Sequence, residues 1–420
     1  MKDGGDERYA EGAAPPSALA GVRVLEVADE QGEYCGRLLS GMGADVIKVE
    51  PPGGSSTRAY PPFAGDVVHH DRSLYFWHYN VGKRSVTMDI LRPEGQRLFR
   101  RLAATAAVVV ETFSPGQLDD LGVGAVALRG ADPGLIVASI TPFGQGGPYR
   151  AFPGTDLTAM ALGGSAAVCG YSPAPDGAYD TPPLVCEGNQ ALQTAAIYAA
   201  HGILAALLHR EAGGSGQHVD VSVEEAAASI TEWHVPMYTF ADAVVPRGIL
   251  GLQCRARDGV WVSCIIPEFF GPHVLETLLG LLDQDGLAGP LRDAQAGAAD
   301  DRAEMRRRLE DAVAAFVARR DAEEVYRLGQ SHGFPWAPVR TADEALDDPH
   351  LHDRGFFVEV RHEELDATYP YAGAPFVASR TPWWFARRPP LLGEHNAEVY
   401  GAELGMTAAD MARLAAAGVI

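Results

Sequence analysis

Apolar and polar positions along the first half of the chain switch repeatedly between the pattern of a buried strand and that of a helix. The predicted elements are, in order, strand 22–27, helix 34–42, strand 44–49, helix 93–106, strand 107–110 and strand 135–140. Strands that alternate with helices predict a parallel α/β sheet, and such sheets bind ligands at the carboxyl ends of their strands. We therefore expect a site after residues 49, 110 and 140.

The pattern continues with helix 193–211 and strand 217–222 and then changes after about residue 237. A predicted hairpin at 253–265 and charged helices at 300–319 and 322–328 indicate a smaller α+β domain. Strand signals return after residue 347. We predict a flexible tail at 1–17, a large Rossmann-like domain built from 18–225 and 346–420, and a small domain at 226–345.

Composition and charge narrow the class of protein. The chain has 420 residues, of which 47% are hydrophobic, and 34 Lys and Arg stand against 55 Asp and Glu, a net charge of −21. This balance repels a phosphate backbone, so we expect no nucleic-acid partner. Five separated cysteines without CxxC spacing and a polar N-terminus predict a cytoplasmic protein with reduced thiols. The apolar run 195–208 is too short to span a bilayer, so we expect a buried helix and no membrane partner.

Common catalytic motifs are missing from the sequence. Gly41-Met-Gly43 lies at the end of a helix, where a dinucleotide fingerprint would have to open one. GxxxxGK[ST], HExxH and GxSxG do not occur. His69 and His70 are adjacent, and adjacent side chains on a regular element point apart. We therefore predict no metal site.

A set of local phrases is more specific than any one motif. They are 19–27 (LAGVRVLEV), 43–52 (GADVIKVEPP), 80–85 (NVGKRS), 110–116 (VETFSPG), 143–149 (FGQGGPY), 216–222 (GQHVDVS) and 390–395 (PLLGEH). In this order and spacing the chain resembles the family III CoA-transferases, which include formyl-CoA and carnitine CoA-transferases and α-methylacyl-CoA racemases.

The resemblance implies two chains interlocked as a dimer, with CoA or acyl-CoA bound as a substrate along the large domain and no permanently bound cofactor. A carboxylic acid would be the second substrate. The matching CoA-binding positions are Lys48, Lys83, Arg84, Arg92, Thr112 and Phe113. Their cations would suit the CoA phosphates, and the phenyl ring would suit the pantetheine or adenine group.

One position departs from the family where the chemistry needs it most. Family transferases attack the donor thioester with an Asp near the start of a helix, and that position is Leu192 here. Leucine offers no nucleophile. Glu187, in the preceding loop, could serve only if the register shifted by several residues. The sequence therefore resembles a subgroup that lacks the catalytic Asp.

Two further departures concern charge. After the first strand the chain has Asp29, Glu30 and Glu33, and these carboxylates would disfavour an anionic intermediate. The Gly-His-Asp triplet of the racemases is Gly154-Thr-Asp156 here, so a racemase or isomerase would lack its imidazole. Asp156 is a candidate cap for the helix that follows it.

Several functions remain open. We favour the subunit without the nucleophile in a heteromeric CoA-transferase, paired with a homologous catalytic subunit. The alternatives are a self-sufficient homodimer that uses Glu187, a racemase or isomerase, and a CoA-ester-binding protein without turnover.

Overall fold

The computed structural model describes residues 16–174, 176–231, 233–247, 252–265, 272–296 and 302–420. The predicted tail at 1–17 lies outside the described residues except for its last two. The strands are β1 Arg23–Val27, β2 Asp45–Glu50, β3 Arg84–Thr87, β4 Val108–Glu111, β5 Ile136–Thr141, β6 His218–Ser222, β7 Leu252–Arg255, β8 Trp261–Cys264, β9 Ala337–Pro338, β10 Phe357–His362 and β11 Ala367–Ala372.

Helices connect most of these strands. They are α1 Glu33–Gly41, α2 Leu74–Asn80, α3 Pro93–Ala103, α4 Gln117–Asp120, α5 Ala125–Ala131, α6 Asp156–Leu162, α7 Ser165–Val168, α8 Gln190–Glu211, α9 Val223–Ser229, α10 His234–Ala241, α11 Pro272–Asp283, α12 Gly289–Ala296, α13 Arg302–Val317, α14 Ala322–Ser331, α15 Pro349–Asp353 and α16 Ala408–Ala416. A π-helical segment, Ala397–Glu403, precedes α16.

The first six strands form one parallel sheet in the order β3-β2-β1-β4-β5-β6. Every neighbouring pair in it is parallel, which confirms the predicted α/β class. The sequence analysis did not identify β3, because Arg-Ser-Val-Thr lacks the apolar run of a buried strand although all four residues are buried. It also did not identify α2.

Both faces of this sheet are covered. Successive side chains of a strand point to opposite faces, so Val24 and Leu25 of β1 enter different cores. Val24 packs in the cluster that contains the α8 residues Ala195 and Ile203. Leu25 packs in the cluster that contains Phe99 of α3 and residues near the C-terminus. The C-terminal segment therefore packs against the same parallel sheet as α3.

Helix α8 has 22 residues and begins three residues before the predicted start. By length and composition alone it could cross a bilayer, and it is the one helix among the described residues that could. Half of its most apolar 18-residue window is buried inside the structure. This burial is that of a core helix packed on a sheet.

The chain divides into two compact units. The larger takes in the described parts of 1–168, 183–245 and 350–420, and the smaller those of 169–182 and 246–349. The smaller unit has its own antiparallel sheet, β7-β8-β9, and a core that contains Phe316 and Trp336. The predicted boundary at 225 differs from this division because 226–245, with the whole of α10, lies in the larger unit.

Candidate active site

A pocket of about 420 Å³ opens in the larger unit at the carboxyl ends of β1 and β5. Pro142 follows β5, one of the three expected positions, whereas Glu30 and Gln31 follow β1, which was not among them. The pocket is lined by Glu30, Gln31, Tyr60, Pro142, Gly154, Thr155, Asp156, Leu157, Cys186, Glu187, Gly188, Asn189, Leu192 and Val223. The structure thus brings Glu187 and Leu192 to one pocket.

The start of α8 forms one wall of this pocket. Leu192 is 7% exposed, and its side chain is also part of the core beneath the helix. Before it, Gly188 and Asn189 both adopt positive φ, 97° and 56°, so the loop turns sharply into the helix. The Asn189 side-chain amide donates to Tyr75 Oη over 3.0 Å. Leu192 presents no reactive group at this wall, and its correspondence to the family carboxylate stays a prediction.

The first turn of α8 is capped from another element. Asp156 Oδ1 accepts hydrogen bonds from the backbone N–H groups of Ala191 and Leu192, over 2.8 and 3.2 Å. The prediction that Asp156 caps its own helix is wrong, because Thr155 caps α6 in a capping box with Thr158. Asp156 can reach α8 because the first turn of α6 lies beside that helix's free N–H groups.

Glu187 is exposed at the pocket, and its carboxylate makes no hydrogen bond or ion pair with any residue that the structure describes. Its backbone carbonyl accepts from the Gln190 side chain over 3.1 Å. The carboxylate is therefore free to reach a ligand. No neighbouring base or cation among the described residues activates it as a nucleophile.

The three carboxylates after β1 have different environments. The Asp29 backbone N–H donates to Thr112 Oγ1 over 3.0 Å, which joins the ends of β1 and β4. Burial, together with the neighbouring Asp29 carboxylate, raises the pKa of Glu30, which also pairs with the Tyr60 hydroxyl. Glu33 is fully buried and points inward. Only Glu30 among the three lines the pocket.

Lys48 and Lys83 lie inside a buried ion cluster with Glu26 and Glu33, and all four residues are 0% exposed. Lys48 Nζ lies 3.2 Å from Glu26 Oε1 and 2.8 Å from Glu33 Oε1. Lys83 Nζ lies 2.7 Å from Glu26 Oε2 and also donates to Asn80. Burial acts to lower the pKa of Lys48, but Glu33 and Glu26 outweigh it and raise that pKa. A phosphate could reach either ammonium group only by displacing a carboxylate.

The two predicted arginines differ in accessibility. Arg84 is 4% exposed and pairs with Asp45, Glu398 and Glu403 over 2.5, 2.9 and 2.6 Å, so its guanidinium group ties β3 to the C-terminal segment. Arg92 is 52% exposed and pairs with Asp89 over 2.9 Å. Of the four predicted cations, Arg92 alone presents its charge to solvent. Its role in binding a CoA phosphate stays a prediction.

Thr112 and Phe113 follow β4, as expected for a strand-end site. Thr112 holds the backbone after β1, and the partly buried Phe113 packs on the core near the C-terminus. The preceding Glu111 is buried, and its Oε2 accepts from the Phe113 N–H over 2.7 Å. Burial raises the pKa of Glu111 to about 7. None of these three residues lines the pocket described above.

Sequence reasoning missed two features. The role of Asp156 at α8 leaves no signal in the sequence, because 34 residues separate it from the helix start. The rings of His69 and His70 stack with their centroids 4.1 Å apart, because these residues lie outside any helix or strand. Together with Asp71 they offer three ligand atoms that lie within 4.8 Å of one another. Asp71 is already bound by Arg58 over 2.8 Å, and this exposed group is not part of the pocket.

A parallel sheet with a pocket at the carboxyl ends of its strands defines an α/β protein that binds a small ligand or cofactor there. The model of the CoA-transferase family III matches residues 19–396, and the chain belongs to this family. It is 33% identical to succinyl-CoA–D-citramalate CoA-transferase of Chloroflexus aurantiacus, over 97% of this chain and 99% of that protein.

Two further comparisons support the assignment. The chain is 30% identical to subunit BbsE of succinyl-CoA:(R)-benzylsuccinate CoA-transferase from Thauera aromatica, over 95% of this chain and 97% of that subunit. A crystal structure of a CAIB/BAIF family protein from Brucella suis matches with a TM-score of 0.77 and 27% identity, over 92% of this chain and 99% of the other. The resemblance noted in the sequence is thereby confirmed, and CoA transfer is the general activity it supports.

Proposed function

We propose that this chain moves CoA between an acyl-CoA and a carboxylic acid as the subunit that lacks the nucleophile in a heteromeric enzyme. The observation that carries the proposal is that Leu192, which offers no nucleophile, lies in the wall of the pocket. BbsE, a relative of similar length, is named as a subunit. The catalytic partner would be a homologous chain with Asp at this position, and the reaction would take place in the cytoplasm.

The missing step can be written from the carboxylate chemistry. A carboxylate attacks the thioester carbonyl, forms an acyl anhydride and releases the CoA thiolate, which then attacks the enzyme's own carbonyl and releases the donor acid. The acceptor acid reverses these two steps, and no further reagent is consumed. The side chain of Leu192 cannot begin this sequence. The α8 turn that would present the carboxylate is nevertheless formed and capped.

Installing the carboxylate tests the proposal. The wild-type chain, Leu192→Asp and the matched uncharged control Leu192→Asn are each given succinyl-CoA or acetyl-CoA with a panel of carboxylic acids. Hydroxylamine trapping and mass spectrometry then detect acyl or CoA adducts on the protein. We expect turnover from wild type only with a catalytic partner, and a trapped adduct from Leu192→Asp alone. Asp156 and Glu30 will raise the pKa of the new carboxylate, so its rate will increase with pH.

Other outcomes assign other functions. Turnover by the wild-type chain alone that Glu187→Gln abolishes would make it a self-sufficient transferase and refute the partner dependence. Binding of CoA without turnover by any variant, alone or with a partner, would identify a CoA-ester-binding protein. Comparison of Leu192→Asn with Leu192→Asp separates the effect of losing the apolar side chain from that of gaining the carboxylate.

A further inference from the structure

The pocket beside Leu192 has an unusual charge. Three carboxylates line it, those of Glu30, Asp156 and Glu187, and none of its described lining residues is Lys, Arg or His. A pocket built for an acyl group with a second carboxylate would need a cation or free N–H groups to bind that charge. The pocket therefore has the sign opposite to the one that a dicarboxylic substrate requires.

The start of α8, where the helix dipole would favour an anion, is already occupied. The free N–H groups at the start of α8 are the natural anion site of this wall, because they point outward at the positive end of the helix dipole. Asp156 takes the N–H groups of Ala191 and Leu192, over 2.8 and 3.2 Å. A substrate carboxylate would have to displace this internal one.

The other two carboxylates are poorly compensated. Glu187 makes no ion pair with any described residue, and Glu30 accepts from the Tyr60 hydroxyl, a neutral donor. Asp29 adds a further negative charge beside Glu30. A second negative charge from the ligand would meet uncompensated repulsion, whereas an ammonium group or other hydrogen-bond donor would satisfy the free carboxylate oxygens.

We infer that the acyl pocket selects an acyl group that carries an ammonium group or comparable hydrogen-bond donors and discriminates against a second carboxylate. This inference rests on the proposed function, because it takes the pocket as the site of the acyl group. It separates this chain from relatives named for succinyl-CoA, whose acyl group carries a second carboxylate.

Binding of three acyl-CoAs of similar size tests the inference. Equilibrium dialysis of the full chain is performed with CoA, β-alanyl-CoA, butyryl-CoA and succinyl-CoA, whose acyl groups end in an ammonium, a methyl and a carboxylate. We expect β-alanyl-CoA to bind tightest and succinyl-CoA weakest, with at least a tenfold difference in Kd between them. The difference should decrease at high salt, since it is electrostatic.

Variants assign the preference to the pocket. Glu187→Gln and Glu30→Gln should each reduce the ratio of the two Kd values. The matched control is Glu211→Gln at the far end of α8, roughly 30 Å away at 1.5 Å per residue, and it should leave the ratio unchanged. Equal binding of the three acyl-CoAs, or tighter binding of succinyl-CoA, would overturn the inference while leaving CoA transfer intact. Failure of all four compounds to bind would instead refute the proposed function, and the inference with it.

Discussion

Replacing Glu26 by Gln should be among the most destabilising isosteric changes in the larger unit. The Glu26 carboxylate is fully buried and accepts from two ammonium groups, Lys83 Nζ at 2.7 and 2.9 Å and Lys48 Nζ at 3.2 Å. The space it occupies is tightly defined, because a Cβ on Gly36 would lie 1.7 Å from Glu26 Oε2. The amide of Gln fits this space but cannot neutralise a lysine.

The magnitude follows from opposing energies. At an effective dielectric constant of about 20, each ion pair of Glu26, with Lys83 and with Lys48, contributes about 5 to 6 kcal/mol at these distances. Both pairs are lost in the variant. Against this loss, the neutral amide avoids the desolvation cost of a buried carboxylate, which is several kcal/mol. Removal of one partner from a buried ion pair leaves an uncompensated charge and typically costs about 3 to 5 kcal/mol, which we expect here.

Urea unfolding followed by circular dichroism measures the effect, with the m-values compared to detect a change in cooperativity. The double variant Glu26→Gln with Lys83→Met removes one charge of each sign and should recover at least half of the lost stability. Asp321→Asn, which breaks the exposed bridge to Arg257, is the control and should change little. A loss below about 1 kcal/mol for Glu26→Gln would mean that the cluster is hydrated, and the reasoning would be refuted.

Two further predictions concern the carboxylates of Glu111 and Asp156. Because the pKa of Glu111 is raised to about 7, the folded chain holds this proton between pH 4.5 and 7 while the unfolded chain has released it, so stability should fall as pH rises through this window. Glu111→Gln should remove that dependence. Relative to wild type, the free energy of unfolding of this variant should be up to about 3 kcal/mol higher at pH 8 than at pH 5, as measured by thermal unfolding at both pH values. Asp156→Ala should lower the free energy of unfolding in urea by about 1 to 2 kcal/mol, because two N–H groups of α8 lose their acceptor. Asp156→Asn, which keeps an acceptor oxygen, should lower it by less than half as much. Equal losses would show that these hydrogen bonds do not stabilise the fold.

The sequence predicted the sheet better than it predicted the site. Strand β4 opens with three valines, and β1 is apolar except for Arg23 and Glu26, a pattern typical of a parallel sheet that is buried on both faces. Strand β3 was missed because its burial depends on Arg84 pairing with Asp45 and with glutamates 314 and 319 residues away. No local pattern encodes such partners.

The cations illustrate the same limit. Lys48 and Arg92 look equivalent as letters in a sequence, and the family resemblance placed both at a CoA site. The fold buries Lys48 between two glutamates and leaves Arg92 half exposed. The strand-end rule placed a site after residues 49, 110 and 140, and Pro142 after β5 does line the pocket, whereas Glu30 and Gln31 after β1 were not among the expected positions. The negative charge of the pocket could not be predicted from the sequence, because Glu30, Asp156 and Glu187 come from three separate segments.

The proposed function requires that the first turn of α8 folds with leucine at residue 192. The hydrogen bonds from α8 to Asp156 use backbone N–H groups, so they form whatever side chain stands at residue 192. Leu192 itself packs in the core, where an aspartate would carry a desolvation cost beside two other carboxylates. We therefore expect a carboxylate at residue 192 to lower the free energy of unfolding relative to leucine. The packing around Leu192 is therefore compatible with the division of labour between two homologous subunits that we propose.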